Sequence, residues 1–332
     1  MENFLSSLEK AVIKDGFEVT KEDALTLYSY PDFENLCKSA DRIRRHFCSN
    51  KSSVCSIINA KRGGCCEDCA YCAQSARHKT SCQKTNFIES EKAVELVQRA
   101  LKGKVCRVSL VSAGRSLEGA DFKSAVAAVK QIKLRFGDQV ALCASFGILP
   151  QEKLSALKEA GVERYHHNLE SGRAYFDKLC TTHSYDDRVQ TVLNAKRCSL
   201  EVCSGGIIGA GEQREDRIDM ALDLRRLQVQ SVPINILTPI PGTPLENALP
   251  ITKEEILRTI AVFRFIMPSQ TIRLAAGRKS IGNNGKDSFT SGANALISGD
   301  FLTTPGSANE EDLAMLKTLG YTIQTHPHPS AG

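Results

Sequence analysis

Residues 65–72 read CCEDCAYC and put four cysteines into eight positions. Cys65, Cys69 and Cys72 stand at the spacing C-x3-C-x2-C, and no second close cysteine pair follows them. Structural zinc usually takes two cysteine pairs far apart in sequence, or one such pair joined by histidines. Three thiolates suit three irons of a four-iron cube and leave the fourth iron for a small molecule. An open coordination position means chemistry, as it does on catalytic zinc. Two plainer readings stand beside this one: a zinc site with remote ligands, and a group of thiols with no metal. A pure electron carrier normally covers its cluster with four cysteines, so three argue for an enzyme. Cys66 is extra; its side chain is expected to point away from Cys65, and it receives no role.

Other chemistry-bearing residues are scattered through apolar runs. The stretch GGIIGAGE (205–212) follows a strand-like run and opens a helical one, and a close turn alone would explain it. Cys143 and Cys203 lie in apolar segments, where a lone cysteine is usually packing. Arg273, inside IRLAA, needs a partner if it points inward. His166, His167 and His183 resemble ligands but are read as hydrogen-bonding groups at a rim, and Tyr165 as packing.

The elements that must position these groups alternate. The first ~50 residues read as helices: Phe4, Leu5, Leu8, Val12 and Ile13 recur at helical spacing, and Thr20-Lys-Glu-Asp is a capping start. Short apolar runs then suggest strands near 54–59, 105–112, 139–146, 162–169, 200–204, 231–237, 270–275 and 295–299, with helical patterns such as 120–135 and 252–267 between them. Eight strands alternating with helices predict an α/β chain, a (β/α)8 TIM-type barrel, in preference to an open doubly wound sheet. The expected organisation is an N-terminal helical extension over 1–50, a barrel over 51–300 and a C-terminal extension with its tail over 301–332. The end of the chain, 322–332, is polar and Pro-rich and is expected to fray; His326 and His328 there are not read as a metal site. The cysteine motif falls just after the first strand, on the face where barrel active sites lie.

Composition narrows the class. Of 332 residues, 42% are hydrophobic and 24% charged, which suits an ordinary globular chain. The net charge of +5 is mild, and Arg42–Arg45 and Arg225–Arg226 read as solvated helix faces, so no nucleic-acid partner is expected. No run approaches the ~18 apolar residues of a membrane span. The N-terminal segment MENFLSSLEKAVIKDG has no apolar signal core. The odd count of thirteen cysteines and the clustering of four of them argue against a secreted disulfide framework, so a cytoplasmic location is expected.

With Tyr71 just before the last cysteine, the motif resembles the radical S-adenosylmethionine (SAM) enzymes. That resemblance implies a [4Fe–4S] cluster whose open iron binds SAM, and a 5′-deoxyadenosyl radical that takes hydrogen from an unreactive carbon. A glycine segment placed like 205–212 would let the backbone approach the adenine of SAM. The likeness becomes narrower from about Ala24 to Leu319. INAKRGGCCEDCAYCAQSARHKT (58–80), YHHNLES (165–171), CTTHSYDDR (180–188), VCSGGIIGAGE (202–212), SVPINILTPIPGTPLE (231–246) and IRLAAGRKS (272–280) resemble the biotin synthase family. Membership would imply sulfur insertion into dethiobiotin to give biotin, with a second, auxiliary cluster deep in the barrel as the sulfur source.

Roles carry over position by position. Cys65, Cys69 and Cys72 match the ligands of the SAM-binding cube. Asn168 and Glu170 match the motif that holds SAM ribose and substrate, although the family often has Asp at the second position. Asn235 matches a polar contact to SAM or substrate. Tyr71, Arg188, Gly206, Ile207 and Gly209 fall in the segments that would line SAM. Cys143, Cys203 and Arg273 match three of the four auxiliary-cluster ligands. The fourth position, a family cysteine, is Ser109. A serine oxygen is a hard, basic substitute for thiolate in an iron–sulfur site. Cys106 points to the opposite strand face and cannot simply replace it. Three outcomes are open: Ser109 ligates; another thiol such as Cys66, Cys82 or Cys180 helps; or the auxiliary cluster is not [2Fe–2S] but an atypical larger one. The alternative enzyme is a one-cluster relative of the hydrogenase-maturing or amino-acid-rearranging kind, against which Cys143, Cys203 and Arg273 together speak. By the same analogy, a flavodoxin- or ferredoxin-type electron donor and a homodimer are expected.

Overall fold

The structure, a computed structural model, describes residues 2–299 and 309–324. Among the described residues there are ten strands: β1 Lys51–Lys61, β2 Arg107–Ser112, β3 Ala141–Ser145, β4 Arg164–His166, β5 Glu201–Cys203, β6 Gly206–Ile208, β7 Ser231–Ile236, β8 Thr271–Leu274, β9 Ala295–Ser298 and β10 Thr322–Ile323. The order β1-β2-β3-β4-β5-β7-β8-β9 closes through a β9–β1 pairing, and every pairing is parallel. This is the expected eight-stranded barrel. Its strands are short and apolar because a parallel sheet is buried on both faces. Val54, Val108, Leu110, Leu142, Val202, Val232, Ile272 and Leu296 share one core with the surrounding helices.

Four expectations need correction. The strand expected over 162–169 ends at His166. The chain leaves the sheet there because Glu170 takes a φ of +72° and the Asn168 side chain accepts the Gly205 N–H. The run after Cys203 breaks and re-forms as β6, which extends the pairing with β7. Thr322 and Ile323, expected to fray, pair with Lys51 and Ser52, while His326 and His328 lie outside the described residues. Arg44 is not on a solvated face. It is 2% exposed and donates from Nε to Asp41 at 2.7 Å, below the ring of Tyr321. A buried guanidinium needs such a carboxylate.

Local signals behave as the residue types require. Thr20 and Asp23 form the capping box that starts helix Lys21–Tyr28. Ser184 and Asp187 form another at the start of helix Tyr185–Arg197, which carries Arg188 to the cavity described below. Ser184→Ala is expected to lower unfolding stability by about 1 kcal/mol, read in an anaerobic denaturant titration. Among the described residues, no helix is long and apolar enough to cross a membrane.

Candidate active site

One cavity of about 360 Å³ opens at the C-terminal ends of the strands and runs down into the barrel. Its lining includes every residue singled out from the sequence as a ligand or a cofactor contact, except Gly206 and Gly209. Three tiers can be followed from the mouth inward.

The mouth is the loop after β1, which carries Cys65, Cys69 and Cys72. Backbone bonds fold it on itself: Cys65 N–H donates to Gln74 O (3.0 Å), Ala76 N–H to Cys65 O (2.7 Å) and Cys72 N–H to Cys69 O (2.9 Å). The loop is also stitched to segment 179–184. Ala70 N–H donates to Leu179 O (2.7 Å), and Asp68 accepts the N–H groups of Thr181 (2.9 Å) and Thr182 (3.3 Å). Cys66 is exposed and turned away, as expected.

The three thiols share one electrostatic condition. Burial raises Cys65, and burial together with neighbouring negative charge pushes Cys72 up to about 11. Cys69 is raised by its hydrogen bond to the Cys180 sulfur at 3.6 Å and by burial. Cys180 is correspondingly lowered to about 4, with His183 helping. Thiols held protonated at neutral pH release their protons when a metal supplies the missing positive charge. The donor set therefore fits a cationic iron–sulfur group.

The middle tier is Asn168–Glu170. Leu169 and Glu170 N–H donate to Gly205 O (2.9 and 3.1 Å), and Ile207 N–H donates to Glu170 O (2.8 Å). Gly206 has to be glycine here: a Cβ would sit 2.4 Å from Glu170 O and 2.3 Å from the Met220 sulfur. It supports the tier from behind, while Ile207 faces the cavity. Gly209 lies outside the lining, where its N–H donates to Glu212 (2.8 Å). Asn235 spans β6 and the turn after β8, donating to Gly206 O (3.1 Å) and accepting from Ala276 N–H (3.3 Å).

A buried chain links these two tiers. Arg188 donates from Nε to His183 Nε2 (3.0 Å) and from Nη1 to Asn168 O (3.0 Å), with Glu170 at 3.5 Å. Because His183 Nε2 accepts, its proton is assigned to Nδ1, which faces the Glu67 carboxylate of the cysteine loop. His183 is thus a hydrogen-bonding group, as expected. At His167 the Nε2 is buried without a partner.

The deep tier is Ser109 on β2, Cys143 on β3, His166 on β4, Cys203 on β5 and Arg273 on β8, together with Cys55 on β1, Arg107 and Arg164. Burial would raise the Cys203 thiol, but His166, Arg164 and Arg273 outweigh it and bring it down to about 6. Burial wins at Cys143, although Arg107 Nη1 lies 3.7 Å from its sulfur. The Ser109 hydroxyl is buried without a hydrogen-bond partner. Arg273 is 1% exposed and donates to Ser231 Oγ (3.4 Å), to the carbonyls of Ser53 (3.0 Å) and Leu296 (2.9 Å), and to Ser53 Oγ (3.2 Å). The cations around Cys203 favour its thiolate, the form that ligates iron. Cys106 donates to Gln324 O (3.3 Å), away from this tier, and Cys66, Cys82 and Cys180 do not reach it either.

Sequence reasoning passed over Cys55, Glu67, Asp68 and Arg107. Alternation along VCSIIN marks Cys55 and Ile57 as sharing one face, but which face is inward depends on register with β2 and β9. The acids of the motif gain their meaning from segment 179–184, more than 100 residues away.

Known proteins resemble the chain along its whole length. Residues 62–224 match the Radical SAM superfamily, and residues 233–322 match the Biotin and Thiamin Synthesis associated domain. The biotin synthase of Clostridium tetani (strain Massachusetts / E88) is 47% identical over 326 residues, covering 97% of this chain and 99% of that protein. The biotin synthase of Brachyspira hyodysenteriae (strain ATCC 49526 / WA1) is 44% identical over 320 residues, covering 96% and 95%. Among solved structures, methylornithine synthase (PylB) superposes with a TM-score of 0.80 at 20% identity, covering 95% of this chain and 97% of that one. The [FeFe]-hydrogenase maturase HydG superposes with a TM-score of 0.84 at 15% identity, covering 98% and 76%. At such identities these two show the barrel fold alone.

Proposed function

The chain belongs to the biotin synthase family of radical SAM enzymes, and from that premise we propose that its cavity inserts sulfur between two saturated carbons of dethiobiotin to make biotin. The observation that carries this reading is the shared cavity. The three loop cysteines, the Asn168–Glu170 tier and the deep thiols all line it, so one bound substrate can face both a radical source above and a sulfur source below. Cys65, Cys69 and Cys72 would hold a cluster that would supply the electron for SAM cleavage, and the deep tier would hold an auxiliary iron–sulfur cluster that would supply the sulfur.

The chain's own residues bind, orient and exclude. Asn168 and Glu170 hold the ribose of SAM and the substrate. Arg188 neutralises Glu170 and fixes its direction. Asn235, pinned by β6 and by the turn after β8, presents its amide from the opposite wall. Tyr71 and Ile207 cover the apolar flank of SAM. Gly206 supports Glu170 from behind, and Gly209 orders the turn toward helix Arg214–Arg226 through Glu212. Cys143, Cys203 and Arg273 would hold the auxiliary cluster. Among enzymes generally the cofactor carries the hard chemistry and the protein positions it, and this division suits the cavity.

The direct test is anaerobic turnover with dethiobiotin, SAM and a reduced flavodoxin- or ferredoxin-type donor. Two 5′-deoxyadenosines per biotin are expected, one for each C–H bond broken; SAM cleavage without biotin would move the reading to a one-cluster relative. Asn168→Ala is expected to reduce turnover about tenfold, the cost of one or two hydrogen bonds, with iron content unchanged. Iron lost from that variant would mean that Asn168 serves the clusters instead. All thirteen cysteines are free thiols, which supports a cytoplasmic setting. We take the protein to work there as a homodimer, with residues 1–50, 51–300 and 301–332 as N-terminal extension, barrel and C-terminal extension.

A further inference from the structure

The deep tier carries one thiol more than the family likeness supplies. Ser109 occupies the position where that likeness calls for a thiolate, and its hydroxyl is buried with no hydrogen-bond partner. The neighbouring strand fills the gap. In the β1–β2 register, Ile57 lies beside Ser109 and Cys55 beside Arg107. Cys55 is therefore the diagonal neighbour of Ser109, on the same face of the sheet and about 7–8 Å away between backbones.

Its surroundings on β1 place it more closely. Ser53, two residues earlier on that face, accepts two hydrogen bonds from Arg273. Ile57, two residues later, faces Ser109 across the register. Cys55 thus lies on the wall between Arg273 and Ser109. It is 8% exposed, what exposure it has is toward the cavity it lines, and its register neighbour Arg107 touches the Cys143 sulfur at 3.7 Å. The other unassigned thiols, Cys37, Cys48, Cys66, Cys82, Cys106, Cys180 and Cys198, line no part of this tier.

We propose that Cys55 supplies the third thiolate of the auxiliary iron–sulfur site in place of Ser109, making the ligand set Cys55, Cys143, Cys203 and Arg273. This rests on the auxiliary cluster of the function proposed above. The exchange keeps three soft donors and moves one of them a strand sideways and two residues toward the floor of the barrel. Thiolate suits iron–sulfur iron where a serine oxygen does not. Ser109 then serves as a small wall residue beside the cluster.

The test uses the full chain with Cys65, Cys69 and Cys72 all changed to Ala, reconstituted anaerobically with ferrous iron and sulfide. Iron, acid-labile sulfide and Mössbauer spectra are measured, with circular dichroism to confirm folding. The parent is expected to retain a cluster. Added Cys55→Ala should lose most of that iron and sulfide, added Ser109→Ala should keep it, and the exchange Cys55→Ser with Ser109→Cys should regain a cluster with altered iron parameters. Cys55→Ser alone, nearly isosteric, covers the case in which Ala disturbs the strand and should shift the spectrum. A Cys55 variant with unchanged iron and spectrum, beside a Ser109→Ala that loses its cluster, overturns the assignment and leaves the auxiliary cluster standing. A folded parent without iron removes the auxiliary cluster and this assignment together.

Discussion

Cys69→Ala is expected to abolish SAM cleavage while the barrel stays folded. Cys69 is the middle ligand of the proposed cube and is buried, so no solvent thiol can take its place. Without it the loop would have only two thiolates to hold a cluster, and the electron that breaks the sulfonium bond would lack its source. The expected rate is the uncatalysed one, a loss of at least about 10⁶-fold on the usual scale of enzymatic acceleration. The structural cost is small. One sulfur leaves a pocket next to Cys180, comparable to a single deleted methyl group at about 1 kcal/mol. The loop is held independently by Asp68, Ala70 and Cys65 backbone bonds. The measurement is 5′-deoxyadenosine formed with dithionite as reductant, alongside a thermal melt. Cleavage that survives the substitution would remove the assigned cube.

Arg188→Met should be the most damaging change that touches no proposed iron ligand. Arg188 is 7% exposed and bonds His183 and Asn168, with Glu170 at 3.5 Å and its guanidinium over the Phe176 ring. Methionine fills much of the volume but leaves a half-buried carboxylate without its cation. Breaking a fully buried pair typically costs about 3–5 kcal/mol, and this partly exposed one should cost less. Glu170 would then turn toward other donors, and SAM affinity should fall about 10- to 100-fold, as it does when an outer partner of a site is removed. Arg188→Lys should rescue little, because the Nε and Nη1 bonds need a fork that an ammonium lacks. Equilibrium dialysis with SAM and an anaerobic melt read the two effects separately. Normal SAM affinity in Arg188→Met would mean that Glu170 is positioned by the backbone alone.

What the sequence made legible follows from the range of the interactions involved. Periodicity and turn chemistry are local, and they placed all eight barrel strands and the capping box at Thr20. The cysteine loop was legible because its ligands sit within eight residues. Where the strand at 162–169 stops was not, since that depends on Gly205 reaching across to Asn168. Arg44 looked solvated because its arginine neighbours are surface residues, whereas Tyr321, which covers it, comes nearly 280 positions later. Cys55 was hidden for a similar reason. A strand's alternation gives two faces, and only pairing with β2 and β9 says which one looks inward.

The stitching of the cysteine loop to segment 179–184 has a thermodynamic consequence. Asp68 and Glu67 belong to the loop; Thr181, Thr182 and His183 belong to the segment; Arg188, one turn further on, reaches Asn168 and Glu170. On the proposed function, iron in the loop and SAM beside Glu170 would therefore draw on the ordering of the same stretch of chain. Whichever arrives first has already met part of the entropic cost of the second. Such coupling is reciprocal: if a loaded loop tightens SAM binding by some factor, bound SAM tightens the binding of iron in the loop by the same factor. The enzyme's cofactor retention is in that sense set partly by its cosubstrate.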